Sequence, residues 1–426
     1  MKNTNKGFTL VELLVVIAML AILSTVTVIG LTGCIEQAKL SVDQQEVEQM
    51  NTVLDASKVA GAPETIKELA DLLKASNLNT KDGITASASG YAIYWFHNEK
   101  YNQIVLAKEE DGSVHHPVDD SAMVTAFTAA QQANDASVYN LKKLAIGVFV
   151  GDTQYESLAA ALAAEFANVD SVTIDLYNDE YFAEYVEIAT GKTLKLNLNG
   201  CTISSVMTES KGTALIVNKG TLVINDSTGK GLITSDVTNP DMQEIPTYGN
   251  HTIANYGELI INGGTIECTG TGGATYAVDN HNKFTMNGGT LIGARCALRV
   301  AKFNYDNVEF TMNAGTITAP TPAWVQLTGS DASVAPTITV NINGGTLETT
   351  KESSENNDVI YTYSFGNSHA NTTINIKGGY FLGGTVSIGS GYKGDVPTLN
   401  ITGGTFEYDV LQWTEEDSVV RYSANK

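Results

Sequence analysis

The chain has 426 residues, of which 25 are Lys or Arg and 47 are Asp or Glu, so its formal net charge at pH 7 is −22. This length allows two or three domains with a sizeable core, which excludes a small disulfide scaffold. A strongly acidic chain lacks the basic surface that nucleic acids require, so nucleic acid is not expected as a partner. Many glycines, 39, and few charged residues, 17%, favour a β protein rich in turns.

The N-terminus combines two lysines with a long uncharged stretch. Lys2 and Lys6 precede residues 13–31, which carry no charge. About 20 apolar residues span a bilayer as a helix, and the lysines are expected to stay on the cytoplasmic side. We therefore expect residues 8–33 to form a single-pass transmembrane and assembly helix in the cytoplasmic membrane, with the C-terminal part of the chain outside.

One carboxylate stands at the beginning of the apolar segment. An acid within a membrane helix costs about 2.5–3.5 kcal/mol at the bilayer centre, so Glu12 requires a partner. Cleavage between Gly7 and Phe8 would free an α-amine four residues from Glu12, about one helical turn away. The amine and the carboxylate can then neutralise each other, which predicts a processed N-terminus and an assembly role for Glu12.

The prepilin segment of type IV pilins and type II secretion pseudopilins closely resembles residues 6–17, KGFTLVELLVVI. This resemblance implies that residues 1–7 are a leader, removed by a prepilin peptidase that also N-methylates Phe8. It implies further partners: other pilin or pseudopilin subunits, a pilus or secretion assembly platform, and membrane lipid. The assembled product would be a thin filament at the cell surface.

Beyond the membrane segment the pattern predicts a soluble head. Apolar residues recur there at helical spacing among charged ones: Ile35, Ala38, Val42, Val47, Met50 and Leu54. The helix is expected to continue to about residue 59, and a second helix is predicted over residues 64–75. Two strands are predicted over residues 90–96 and 102–107. A helix packed on a hairpin resembles the head of a small pilin, so residues 34–120 are interpreted as a pilin-like α+β head.

Residues 121–170 are interpreted as a linker and a helical cap. The segment Thr153-Gln154-Tyr155-Glu156 has the form of a capping box that opens an Ala-rich helix to about Ala167. This helix is expected to cover the open end of the β domain that follows, because an uncovered end exposes strand edges.

Residues 171–426 carry eight copies of a repeat. If the last residue of each turn is taken as zero, apolar residues stand five and three positions before it and usually two after it. The zero positions are Cys201, Ser227, Gly264, Gly289, Gly315, Gly345, Gly379 and Gly404. The residues five before zero are Leu196, Leu222, Leu259, Phe284, Phe310, Val340, Ile374 and Leu399. Those three before zero are Leu198, Ile224, Ile261, Met286, Met312, Ile342, Ile376 and Ile401, and Gly229 breaks the pattern two after zero.

Six copies have Asn at the first turn position: Asn199, Asn225, Asn262, Asn287, Asn313 and Asn343. If successive coils stack, these side chains lie about 4.8 Å apart and can form a hydrogen-bonded ladder. The pattern resembles a right-handed parallel β-helix of the pectate-lyase type, and the alternative is a series of Asn-Gly hairpins. The spacing of apolar residues around the turn is the same in successive copies, although the connections between copies vary in length. This favours the solenoid. We therefore expect a multidomain chain: an N-terminal helix with a small α+β head, followed by a mainly-β solenoid.

Parallel β-helices include polysaccharide lyases and hydrolases. An inverting hydrolase needs two carboxylates about 6.5–9.5 Å apart, and no pair of aspartates lies on a repeat strand. The middle coils carry Asp279, Asp306 and Glu309 near Arg295 and Arg299. We expect these to be solvated side chains on loops, and the alternative is a cleft for an anionic glycan. Catalysis, a cofactor and a metal site are not expected.

Aromatic side chains in the long connections form a candidate binding surface for glycans. The residues concerned are Tyr248, Tyr256, Tyr276 and His281, with Arg295 and Arg299 beside them. The rings can stack on sugars or pack the loops. Cys268 and Cys296 follow successive turns, and a disulfide between them is a candidate.

Three functions are consistent with these features. The favoured one is a type IV pilin-like subunit that displays the β-helix for adhesion or glycan binding, and a minor subunit because a bulky solenoid would crowd a filament. The second is a pseudopilin of a type II secretion or DNA-uptake system. The third is a surface-anchored polysaccharide lyase or hydrolase.

Overall fold

The structure is a computed structural model that describes residues 10–59, 61–78, 83–115, 120–145, 147–182, 185–205, 214–235, 251–270, 275–302, 307–327, 337–350, 359–364, 372–383, 386–388, 397–407 and 421–422. Over residues 10–31 it describes the helical backbone alone. The chain forms two compact units, residues 1–145 and residues 146–426. The boundary between the units therefore lies inside the segment predicted as linker and cap.

The first unit combines helices with a small antiparallel sheet of order β2-β1-β3. Its described elements are α1 (Leu10–Ser57), α2 (Ile66–Ala75), β1 (Tyr91–His97), β2 (Asn102–Lys108), α3 (Ser121–Gln132), β3 (Val138–Asn140) and a 3-10 helix (Leu141–Ala145). The predicted second helix and hairpin are confirmed, and a capping box between Thr65 and Glu68 starts α2. Because β3 pairs with β1, residues 138–140 belong to this unit rather than to a linker.

The outer part of α1 packs against the head through one face. Its largest buried side chains are Val47, Met50 and Leu54. The Asn51 amide fixes the helix to β2, since it donates to the Ile104 carbonyl oxygen and accepts from the Ile104 N–H, at 2.8 Å each. The packed face is shorter than the predicted stripe, because Ile35 and Val42 are exposed.

The second unit winds through three sheets of parallel strands. Sheet I contains β6 (Ser171–Leu176), β9 (Thr193–Asn197), β12 (Thr221–Asn225), β15 (Glu258–Ile261), β18 (Lys283–Met286), β21 (Val308–Met312), β24 (Ile338–Ile342), β27 (Thr372–Ile376) and β30 (Thr398–Ile401). Sheet II contains β7 (Glu180–Phe182), β10 (Thr202–Ser205), β13 (Leu232–Ser235), β16 (Thr265–Cys268), β19 (Thr290–Gly293), β22 (Thr316–Ala319), β25 (Thr346–Thr349), β28 (Tyr380–Leu382), β31 (Thr405–Phe406) and β32 (Arg421–Tyr422). Sheet III contains β8 (Val186–Ile188), β11 (Ile216–Asn218), β14 (Ile253–Asn255), β17 (Tyr276–Asn280), β20 (Cys296–Lys302), β23 (Thr321–Leu327), β26 (Ile360–Ser364) and β29 (Val386–Ile388).

Each complete coil contributes one strand to each sheet, and a strand pairs with the equivalent strand of the next coil. These pairs are parallel, as in β12 with β15 and β17 with β20, which agrees with the β-helix architecture and not with hairpins. The first coil covers residues 171–188 and precedes the first predicted repeat. The handedness of the helix stays a prediction.

A hairpin and a short helix precede the first coil. Strand β4 (Val148–Val150) pairs antiparallel with β5 (Thr153–Tyr155) and with β6, and so extends sheet I. Helix α4 (Leu158–Glu165) adds apolar side chains to the core cluster of the solenoid. The predicted capping box is wrong, because residues 153–155 form a strand and Ser157 caps the helix, accepting a hydrogen bond from the Ala160 N–H at 3.1 Å.

The strand register confirms the repeat phase from Gly264 onward and corrects it in the first copy. Leu196 pairs with Ile224, so the stacked residue three before the turn is Leu196 and not Leu198. The reason is a turn two residues longer than those from the third copy onward, which moves the zero position.

The second copy has a still longer turn. Ile233 pairs with Ile203 in the preceding coil and with Ile266 in the following one. It therefore occupies the inward position at which the repeat predicts Gly229. The apparent break in the pattern is an insertion, and the apolar column of sheet II continues through it.

A ladder of asparagine amides runs along sheet I, as predicted. Each Nδ2 donates to Oδ1 of the preceding Asn at 2.8–2.9 Å, in the order Asn343, Asn313, Asn287, Asn262, Asn225, Asn197. The first rung is Asn197 rather than the predicted Asn199, because of the corrected register. Asn197 itself donates to Asp175 Oδ1 at 2.7 Å, so the ladder ends on a carboxylate.

Candidate functional site

The N-terminal motif leads directly into α1. Gly7 and Phe8 lie outside the described residues, and Glu12 lies in the part of α1 where the backbone alone is described. Helix α1 is continuous over 48 residues, about 72 Å at 1.5 Å per residue. Within the described residues, no helix combines the length and the apolar character needed to cross a membrane.

A second candidate site lies on the outer face of sheet III. Val278, Leu298 and Ala323 of β17, β20 and β23 belong to the core cluster. Asp279, Arg299 and Trp324 follow them directly and so occupy the opposite face of the sheet. The register places these three residues next to one another on consecutive coils, followed by Tyr361. Residues 20 and 25 positions apart in the sequence thus become neighbours.

Asp279 and Arg299 form a buried ion pair with two hydrogen bonds. Arg299 Nε donates to Oδ1 at 2.7 Å, and Nη2 donates to Oδ2 at 2.5 Å. Asp279 is 1% exposed and Arg299 is 8% exposed. Arg299 Nη1 lies 3.4 Å from Oε1 of Gln326, on the next coil. Paired geometry of this kind offsets part of the cost of removing both charges from water.

Two histidines approach the same carboxylate oxygen. His251 and His281 place Nε2 at 3.0 and 2.9 Å from Asp279 Oδ2. His281 Nδ1 also lies 3.0 Å from the carbonyl oxygen of Ala301, so both ring nitrogens face acceptors and a doubly protonated ring can donate to both. His251 is 2% exposed, so its contact with Asp279 is shielded from water.

Aromatic rings cover this ion cluster. The guanidinium carbon of Arg299 lies 4.7 Å from the centre of the buried Tyr276 ring. The Tyr256 ring stacks on His281, with centroids 4.8 Å apart and planes 6° apart. These predicted sugar-contacting rings therefore contact groups of the protein itself. Tyr248 lies outside the described residues.

Burial and pairing together set the protonation states. Burial by itself would raise the pKa of Asp279, but the charge of Arg299 holds this pKa well below its usual value. Burial lowers the pKa of His251, and the nearby Asp279 offsets this only in part. Burial also raises the pKa of Tyr276, which stays a phenol. Around neutral pH the cluster therefore holds a carboxylate, a guanidinium and a neutral His251.

The expectation that Asp279 and Arg299 are solvated loop side chains is wrong. Both lie on strands of sheet III and are buried beneath side chains from the connections. Asp306 lies outside the described residues, and Glu309 lies on β21 in sheet I. Asp279 and Glu309 thus lie in different sheets of the solenoid.

The predicted disulfide is not formed in the structure. Cys268 lies on β16 in sheet II and Cys296 on β20 in sheet III, and both are buried free thiols. Burial raises the pKa of both thiols, that of Cys296 to about 12. Neither is therefore a reactive thiolate at neutral pH.

The arrangement around Asp279 is suited to holding coils together. A general base must reach a substrate proton, whereas this carboxylate is buried and both its oxygens accept from Arg299. In the part of the chain that the structure describes, no group of three or more His, Cys, Asp or Glu is arranged to hold a metal ion. The pair joins β17 to β20, and Gln326 extends the contact to β23.

Sequence reasoning missed His251, Gln326 and Trp324 as members of this cluster. No constant position within the repeat identifies the outward-facing residues of sheet III. Asp279 lies fifteen residues after Gly264, whereas Arg299 lies ten after Gly289. The connections between sheets II and III differ in length from coil to coil, so position within the repeat does not predict which residues meet.

A second, buried asparagine ladder was also missed. Asn218 Nδ2 donates to Asn255 Oδ1, and Asn255 Nδ2 donates to Asn280 Oδ1, at 2.7 Å each. All three residues are 0% exposed and end their strands in sheet III. The repeated Asn at the end of an apolar run is the sequence signal that could have revealed it.

Comparison with known protein families gives a match in the N-terminal segment. Residues 2–28 match the family model of the prokaryotic N-terminal methylation motif. This segment is type IV pilin-like, and the motif supports an exported, membrane-anchored substrate of the pilin or pseudopilin type. It implies processing by a prepilin peptidase and, broadly, assembly with other pilin subunits. Comparison with curated proteins and with solved structures gives no match.

Proposed function

We propose that the chain is a minor subunit of a type IV pilin-like surface filament and displays its solenoid for adhesion or glycan binding. The observation that carries this proposal is the methylation motif over residues 2–28, of which residues 10–28 lie in α1. The peptidase cuts between Gly7 and Phe8 and methylates Phe8. Other pilin subunits, the assembly platform and membrane lipid are the partners.

Glu12 supplies the assembly contact in this proposal. The new α-amine of Phe8 carries a positive charge that the Glu12 carboxylate neutralises in the low-dielectric membrane, within a subunit or between neighbours. Two uncompensated charges in lipid would oppose assembly. The contact therefore selects processed subunits over precursors.

The size of the solenoid supports a minor rather than a major subunit. The second unit covers residues 146–426, whereas the unit that carries the motif covers residues 1–145. A filament built wholly of such subunits would have to accommodate one large module per helix, which favours occasional incorporation. Catalysis is not part of the proposal, because the buried Asp279 lacks access to a substrate.

Mass spectrometry of the mature N-terminus tests the processing step. A chain that begins with N-methylated Phe8 is expected, and a chain that retains Met1 would contradict the proposal. The Glu12→Gln variant tests assembly: we expect removal of the leader to continue and incorporation into filaments to fall at least tenfold. Glu48→Gln is the matched control, since Glu48 lies on the same helix and is exposed. Equal incorporation of the two variants would exclude the proposed role of Glu12.

A further inference from the structure

An exposed arginine lies at the edge of sheet III. Arg295 stands in the short connection between β19 and β20, and its residue is exposed. Its guanidinium carbon lies 5.5 Å from the centre of the Trp324 ring. The backbone carbonyl of Arg295 accepts from the Thr321 N–H at 3.1 Å, whereas its guanidinium makes no hydrogen bond and no ion pair with the described residues.

Such a cation is unusual in this chain. The sequence has a formal charge of −22 and three arginines, Arg295, Arg299 and Arg421. Arg299 shows how a guanidinium is held for a structural purpose, because it is buried and bonded to both oxygens of Asp279. Arg295 lies four residues away, in solvent, and makes no corresponding contact with a described carboxylate.

The rings beside Arg295 are held in place by the buried cluster. Trp324 meets the Tyr276 ring edge to face, with centroids 6.4 Å apart and planes at 79°, and Arg299 packs on Tyr276. Tyr361, next to Trp324 in the outer column, meets it at 5.6 Å and 74°. Trp324 and Tyr361 are half-buried. The surface therefore combines a prearranged aromatic pair with an available guanidinium.

The guanidinium of Arg295 offers planar donors. Its five N–H bonds lie in one plane and suit a carboxylate held by two hydrogen bonds. Aromatic side chains offer an apolar surface to the C–H face of a sugar ring, and sites of this kind combine such surfaces with a few oriented polar groups. A carboxylate on a sugar ring matches both features at once.

We propose that Arg295, Trp324 and Tyr361 form a binding site for an acidic carbohydrate, a sugar ring that carries a carboxylate. The carboxylate accepts the in-plane N–H donors of Arg295, and the sugar ring packs beside Trp324 and Tyr361. This inference rests on the proposed function of the solenoid as a displayed binding module, and it names the ligand class and the residues that recognise it.

Binding of the full-length protein in detergent to polygalacturonate tests the site, and the fully methyl-esterified polymer is the matched neutral probe. We expect binding to the acid form and at least tenfold weaker binding to the ester. Arg295→Gln should lose at least tenfold in affinity for the acid form, and Arg295→Lys should lose less, because it keeps the charge but not the planar fork. Lys195→Gln removes the same charge from an exposed residue of sheet I and should bind like the unchanged protein.

Three outcomes would overturn the inference: no binding by the unchanged protein, equal binding to acid and ester, or full binding by a folded Arg295→Gln variant. Thermal unfolding of each variant shows whether it is folded, and Arg295 is exposed, so little change in its midpoint is expected. These failures are distinguishable from failure of the proposed function. Filament incorporation depends on Phe8 and Glu12, whereas the binding assay on purified chain does not.

Discussion

Arg299 on β20 reaches back one coil to Asp279 on β17 and holds both oxygens of its carboxylate, at 2.7 and 2.5 Å. Removing the guanidinium would leave a buried carboxylate without its counter-charge. We expect Arg299→Met to reduce the free energy of unfolding of the full chain by about 3–5 kcal/mol, measured by urea denaturation.

An exposed ion pair between neighbouring coils provides the control for that experiment. Lys219 Nζ lies 3.0 Å from Glu187, and both side chains are substantially exposed. Lys219→Met should cost less than about 1 kcal/mol, because water screens the pair. The double variant Asp279→Leu with Arg299→Met should recover much of the loss. If Arg299→Met costs no more than Lys219→Met, the buried pair does not hold the coils.

Acid is expected to destabilise the solenoid through His251. Burial lowers the pKa of this ring in the folded state from its ordinary value of 6.5. As the pH falls below about 6.5, the unfolded chain therefore takes up a proton that the native state does not, and stability declines by at most about 1.4 kcal/mol per pH unit. Asp279, whose pKa is lowered, adds a further loss only at more acidic pH, as its carboxylate becomes protonated.

Urea denaturation between pH 7.5 and about 4.5 measures this dependence. His251→Gln removes the titrating group and should flatten the profile near pH 6. His115→Gln, which removes a histidine from the first unit, is the comparison variant. A profile that stays steep in the His251 variant would assign the dependence to other groups.

The ladder through Asn287 and the buried ladder through Asn255 should differ in their contribution to stability. Asn255 is 0% exposed, accepts from Asn218 and donates to Asn280. Asn255→Ala leaves buried polar groups without partners, and we expect a loss of about 3 kcal/mol or more. Asn287 occupies the equivalent place in the exposed ladder, where water can replace the lost partner. Asn287→Ala should therefore cost about 1 kcal/mol or less. Equal losses by urea denaturation would contradict the distinction.

The turn glycines permit close stacking of the coils as well as an unusual backbone. Gly315 has a φ of +99°, and a Cβ there would lie 2.6 Å from the carbonyl oxygen of Gly289. Gly229 has a φ of +70° with open space around it. We expect Gly229→Ala to cost about 1–2 kcal/mol from backbone strain alone. Gly315→Ala adds a clash with the neighbouring coil and should cost more. Equal thermal shifts for the two variants would mean that stacking tolerates the extra atom.

Much of the solenoid could be predicted because its signals are local. Alternating apolar residues and an Asn-Gly turn define a strand and the corner after it, and from Gly264 onward the observed register agrees with them. The first two copies were misaligned because their longer turns moved the reference position. The first coil was missed because its inward position in sheet II is held by Glu180, paired with Ile203, rather than by an apolar residue.

The amino-acid order alone determined the type IV pilin-like start, the strand periodicity and the outer ladder, since each depends on residues a few positions apart. Only the tertiary structure decided that Asp279 meets Arg299, that His251 joins them, and that Arg295 lies on Trp324. These contacts cross from one coil to another, and the connections that precede sheet III differ in length. Which residues become neighbours in sheet III therefore depends on the length of the connection that precedes each strand.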